Sequence, residues 1–319
     1  MSGMLPRILG ILSVIISSLV LTGCGDDRPE QIEQYQQLSQ QRLSQLATML
    51  DNKQLRNANL LSQYAQILAK NKPDLRPLIE ELEKDAGTQG PMYQSLVRRL
   101  QELKTSANFI DVDQQLNEAQ NLYQALDPSL YNDLLSDPVN VIADMSNGAL
   151  ARVNSISKEA SVLANGGEDF GPGSQLVGNP GYGSWQTNSS GTSFWAWYGM
   201  YAMFSNVFNR PIGYDRWSSR RGYSYYNDVG RYRYTSPKQA TSQNSTFERE
   251  KKRFSSQGKR FQSPYAKTRT GATSLSKQSS SAPAASTAGN RSKFRSNYSK
   301  DSSFRNSSSR TSRGVSRGK

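Results

Sequence analysis

Proline-marked helix boundaries recur along residues 27 to 163, in Asp27-Arg28-Pro29-Glu30, Asn71-Lys72-Pro73-Asp74, Asp127-Pro128 and Asp137-Pro138. Proline fixes φ and lacks an amide donor, so a helix accepts it in its first turn but not in its interior, and the residue before it is pushed out of helical geometry. Between the boundaries, apolar residues fall mostly three or four apart. They are Ile32, Tyr35, Leu38, Leu43, Leu46, Met49 and Leu50, then Leu60, Leu61, Tyr64, Ile67 and Leu68. That period draws one apolar stripe along a polar, glutamine-rich helix. The expected fold class is mainly α, a helical bundle followed by an aromatic, glycine-rich module and a disordered basic tail.

The start Asp27-Arg28-Pro29-Glu30 reads as an N-cap with proline in the first turn and an acid three residues on. Unbroken, a helix from there to Lys70 would reach roughly 65 Å, but residues 51 to 59 carry few apolar side chains, which predicts a bend or a helical hairpin. Shorter helices are predicted over 75–85, closed by Gly87, and over 91–104, 112–126 and 138–163, the last closed by Gly166-Gly167. Asp127 and Asp137 read as N-caps followed by proline. These segments suit an antiparallel helical bundle spanning 24–165. No heptad is sustained, so a long coiled coil is not specified. The helix surface is a candidate for a protein partner, set against the plainer reading of a stalk whose stripes bury one another.

Residue types narrow the chemistry. The 319-residue chain has no histidine, which removes the commonest general base and metal ligand, and its one cysteine allows no intramolecular disulfide and no thiolate cluster. Glycoside hydrolysis needs only two carboxylates, but Glu168, Asp169, Asp215 and Asp228 lie in glycine-rich or basic surroundings without a recognisable motif. The expectation is a protein that is not an enzyme, with no catalytic residues, metal or cofactor.

The single cysteine closes the first segment. Arg7, an apolar run over residues 8 to 21 and the small pair Thr22-Gly23 precede Cys24, which reads as a signal peptide over 1–23. Leu21-Thr22-Gly23-Cys24 resembles the bacterial lipobox. The resemblance implies that Cys24 carries a diacylglycerol on sulfur and becomes the first residue of the mature chain, a membrane partner through two or three acyl chains. It further implies a bacterial cell envelope location, lipid-anchored and facing the periplasm. Gly25 stands directly after the cysteine, with Asp26 and Asp27 beyond it, which leaves inner against outer membrane open.

The formal net charge of +13 is unevenly placed. Residues 24–165 hold 13 Lys and Arg against 19 Asp and Glu, or −6, while residues 166–319 hold 25 against 7, or +18. Within that basic half, 166–192 reads as a glycine-rich linker, 193–235 as a Trp/Tyr-rich module and 236–319 as a disordered basic Ser/Arg-rich tail. All four tryptophans, Trp185, Trp195, Trp197 and Trp217, lie between Tyr182 and Tyr234. Over 194–208 the apolar groups fit neither period 3.6 nor period 2. Three readings compete: core packed on the bundle, insertion into the membrane interface, and stacking on sugars. The last makes Trp195, Trp197 and Trp217 an aromatic contact surface of a wall- or glycan-binding module. The tail suits a polyanionic surface such as anionic lipid, lipopolysaccharide or a wall polymer, whereas nucleic acid is not expected of an exported chain. The layout, more than any motif, resembles bacterial envelope lipoproteins with an aromatic patch and a basic Ser/Arg tail, and implies a structural or interaction role.

Overall fold

The structure, a computed structural model, describes residues 26–153, 167–207 and 211–265. Helix α1 (Arg28–Asp51) buries Ile32, Ser39, Leu43, Leu46 and Leu50, one stripe at helical spacing. The chain then turns through residues 52–55 with Lys53 at φ 53°, so the break expected in 51–59 is present. Helices α2 (Arg56–Asn71), α3 (Arg76–Glu83), α4 (Pro91–Leu103), α5 (Val112–Ala125), α6 (Pro128–Leu134) and α7 (Ser136–Met145) follow. Pro77, Pro91 and Pro128 sit in the first turns of α3, α4 and α6, where no amide donor is needed. Asp111 and Asp127 accept from the first backbone amides of α5 and α6.

The antiparallel expectation holds for α1 against α4 and for α4 against α5, and fails for one main contact. α4 runs against α1, so Gln36 donates to the Leu103 carbonyl at 2.9 Å and Tyr93 to that of Leu43 at 3.3 Å. α5 runs against α4 and therefore parallel to α1: Arg28 meets Asp113 at 2.9 Å near both starts, and Arg42 meets the Tyr123 carbonyl at 2.9 Å further along. α2 packs on α3, α6 and α7. It starts without a local side-chain cap; instead Asn132 of α6 accepts from the Asn57 amide at 2.8 Å.

Two helix boundaries differ from expectation. α7 begins at Ser136, so Asp137 lies inside its first turn and does not act as its cap. The helix expected over 138–163 stops at Met145, where Asn147 (φ 55°) and Gly148 (φ 88°) adopt left-handed backbone. Residues 154–166 lie outside the described residues.

The basic half is more ordered than its composition predicts. Within the expected linker, a 3-10 turn at Ser174–Leu176 and strand β1 (Gly183–Thr187) form, and residues 175–179 are buried. β1 pairs antiparallel with β2 (Ser193–Trp197), setting Trp185 opposite Trp195 and Gly183 opposite Trp197. The segment that fits neither period is in fact strand β2, a 3-10 turn at Gly199–Ala202 and the short helix α8 (Met203–Val207) in succession, so no single repeat describes it. α9 (Tyr214–Arg220) and α10 (Pro237–Ser256) complete the order. α10 overturns the assignment of disorder from residue 236 onward. Ser236 and Gln239 make a reciprocal capping box, and Thr246, Phe247 and Glu250 are buried on its inner face. Residues 266–319 lie outside the described residues.

One main core runs through both halves. Leu46, Leu61, Leu78, Leu96, Leu122 and Ile142 of the helices share it with Tyr182, Tyr201, Tyr223, Tyr225, Tyr226 and Tyr234. The Trp/Tyr-rich segment is thus a wall of the same body. A smaller cluster of Val177, Trp195, Tyr214 and Trp217 adjoins it.

Candidate functional site

The hairpin register decides what the tryptophans do. Opposed residues on an antiparallel pair share a face, and residues two apart share it too. Trp185, Trp195 and Trp197 therefore project from one side of β1 and β2. Trp185 lies edge-on to Trp195 (centroids 5.2 Å) and Tyr214 (4.7 Å) and tilted against Trp217 (4.9 Å). Trp195 meets Trp197 at 5.9 Å, and Trp197 meets Phe204 at 4.9 Å. Edge-to-face pairs of this kind each add about 1 kcal/mol beyond burial.

Of the residues expected to form an aromatic contact surface, Trp195 (2% exposed) and Trp217 (1%) are core, and only Trp197 keeps partial exposure. Burial removes the open ring faces that sugar stacking needs. Trp185, which the sequence did not single out, is the hub of the cluster; its pairing with Trp195 across a turn was the missed signal. Tyr198 and Met200, beside Trp197, are the exposed apolar side chains at this end of the hairpin. Cys24 lies outside the described residues.

Two buried carboxyls join the halves. Asp85, in the 3-10 turn Lys84–Ala86, accepts from Tyr182 Oη at 2.6 Å and from the Met92 amide at 3.4 Å. Burial pushes it up to about 7; the two hydrogen bonds oppose this, and nearby Glu81 adds to it. Asp137 accepts from the Tyr225 amide at 2.7 Å and the Tyr226 amide at 2.9 Å, and burial likewise pushes it up to about 7. Its short side chain caps the π-helical turn Tyr226–Gly230 from a distance in sequence, Asp137 standing 88 residues before Tyr225.

One buried ion pair holds the same seam and two more brace the basic half from within. Arg99 grips Glu118 through Nε (2.7 Å) and Nη2 (3.1 Å), and its Nη1 donates to the Arg233 carbonyl at 2.6 Å. Arg221 clasps Asp228 with both Nη atoms, at 2.9 and 2.7 Å, and its Nε donates to the Pro264 carbonyl at 2.9 Å. Fully buried Glu250 accepts from Ser193 Oγ at 2.6 Å and from Arg253 Nε at 2.9 Å, pinning α10 to β2. The Arg99 and Arg221 pairs offset the cost of burying charge by fork geometry and extra backbone partners, and Glu250 by its bonds from the Ser193 hydroxyl and amide.

Within the basic half, exposed cations cluster on α10 and just beyond. Lys238, Arg249, Lys251, Lys252, Lys259 and Arg260 are exposed, while the acids there are Glu248, paired with Lys251 at 3.7 Å, and the sealed Glu250. Among the described residues no group of three or more His, Cys, Asp or Glu is placed to hold a metal ion, and no helix is long and apolar enough to cross a membrane. No family model, curated protein or solved structure matches the chain.

Proposed function

We propose that the chain is a lipid-anchored bacterial envelope protein with a structural or interaction role, tethered through Cys24 and presenting its basic half to membrane or an anionic envelope partner. The observation that carries this reading is how close the lipobox lies to the folded body. α1 begins at Arg28, four residues after Cys24, and Arg28 is already held by Asp26 at 2.7 Å and by Asp113 at 2.9 Å. Four residues span at most about 14 Å. An acylated Cys24 therefore keeps the body at the headgroups with no stalk between them, and its surface faces whatever the membrane presents.

Mass spectrometry of the protein from its producing cell tests this directly. The mature chain should begin at Cys24 and carry the mass of a diacylglycerol. A Cys24→Ser variant should lose that mass and accumulate with residues 1–23 attached. Normal removal of those residues from the variant overturns the anchor.

A further inference from the structure

We infer that the outer face of α10 lies on the anionic phospholipid headgroups of the membrane that holds the protein. This rests on the proposed anchoring for its choice of membrane, and on α10 itself for its geometry. The buried side chains Thr246, Phe247 and Glu250, with half-buried Gln243 and Phe254, occupy one side of the helix. At 100° per residue, Lys238, Ser245, Lys252 and Ser256 form a single stripe on the opposite side, all of them exposed, while Arg249 at its edge turns its guanidinium back to Ser193 Oγ (3.2 Å) and Thr246 Oγ1 (3.4 Å). A helix of 20 residues is about 30 Å long, so the cations are strung along a line and not gathered into a pocket.

The pattern selects the partner. Among the described residues, Lys238, Lys252, Lys259 and Arg260 enter no ion pair, in contrast to Arg99, Arg221 and Arg253, which are locked to Glu118, Asp228 and Glu250. The side chains between the cations on the stripe are serines. They lack the aromatic platforms and the fork-shaped clusters that would select a particular sugar or phosphate ester. A row of point charges without a pocket is complementary to a laterally extended anionic surface. Each lysine or arginine near such a surface gains about 1 kcal/mol, and the attraction falls off within a Debye length. Phe254 and Phe261, in edge-to-face contact at 5.4 Å and half-buried, brace the C-terminal end of the stripe.

The test uses the chain from Gly25 to Lys319, which keeps every described residue and has no cysteine and no lipid. Sedimentation with vesicles of phosphatidylglycerol and phosphatidylcholine should retain the chain at low salt, while vesicles of phosphatidylcholine alone should not. Lys238→Glu/Lys252→Glu/Lys259→Glu should weaken partitioning to the anionic vesicles roughly tenfold or more. The control Arg56→Glu/Lys70→Glu/Arg76→Glu, on exposed sites of the helical half, should leave it within about twofold.

A spin label on Ser245→Cys reads the contact itself. It should lose collisions with a water-soluble relaxation agent on anionic vesicles, and a label on Gln63→Cys of α2 should not. Partitioning unchanged by the Lys238/Lys252/Lys259 variant, or a Ser245 label that stays in water on the vesicles, overturns the inference. Because the assay contains no acyl chain, such a failure is distinct from failure of the anchor, which the mass of the mature N-terminus decides.

Discussion

Asp85 illustrates how a single side chain couples the two halves to pH. Its carboxyl is fully buried, and its hydrogen-bond partners are an O–H and a distant N–H. The folded value of about 7 lies above the roughly 3.9 of an unfolded chain, so between those limits the folded state binds the extra proton. Stability from this group is complete below about pH 4 and is lost as pH rises through 7. Asp85→Asn keeps an acceptor for Tyr182 and cannot ionise. Relative to wild type, the variant should gain stability at pH 8, on the order of 1–3 kcal/mol, and lose that advantage at pH 5; thermal melts at the two values check this. Arg99 and Glu118 behave differently because each neutralises the other. Glu118→Ala strands a buried guanidinium and should cost about 3–5 kcal/mol in urea unfolding, whereas Arg99→Met/Glu118→Leu, which removes both charges, should cost clearly less.

At the scale of elements, local chemistry predicts formation and fails where the determinant is remote. Asp127-Pro128, Pro91 and the Ile32 to Leu50 stripe specify their helices because cap, proline and period act within a few residues. Asp137-Pro138 carries the same local signal, yet its carboxylate serves Tyr225 and Tyr226, which no short window reveals. α10 was hidden for another reason. Averaging composition over the whole tail submerged a capping box and two phenylalanines in a serine- and arginine-rich background. Ser236→Ala should therefore cost about 1 kcal/mol and lower the helical signal, a loss that a disordered segment would not show. The aromatic cluster was legible as composition and illegible as geometry, since Trp185 and Trp195 meet only once β1 and β2 pair. Gly178, at φ +90°, packs so close to Trp217 that an added Cβ would come within 2.7 Å of the ring. Gly178→Ala should destabilise by roughly 2 kcal/mol or more and shift the tryptophan emission.

For the whole molecule, the continuity of the core decides whether the acidic helical half and the basic half unfold together. The sequence divides them by charge and by a glycine-rich boundary, but α3, α6 and α7 pack against the second half, and Tyr182, Tyr225 and Tyr234 lie in the helices' own core. All four tryptophans are in the second half, between residues 185 and 217, while α1 through α7 supply most of the described helix. Two optical probes therefore report on the two halves separately. If the seam of Asp85, Asp137, Arg99 and the tyrosines makes one cooperative unit, far-ultraviolet circular dichroism and tryptophan fluorescence will give coincident urea transitions with the same midpoint and slope. A fluorescence transition complete before the helical signal falls would show that the aromatic half detaches from a self-sufficient bundle. Under the proposed anchoring, coincidence has a consequence at the membrane: a body that cannot release its basic half holds α10 at a fixed distance and orientation from α1, which begins four residues after Cys24.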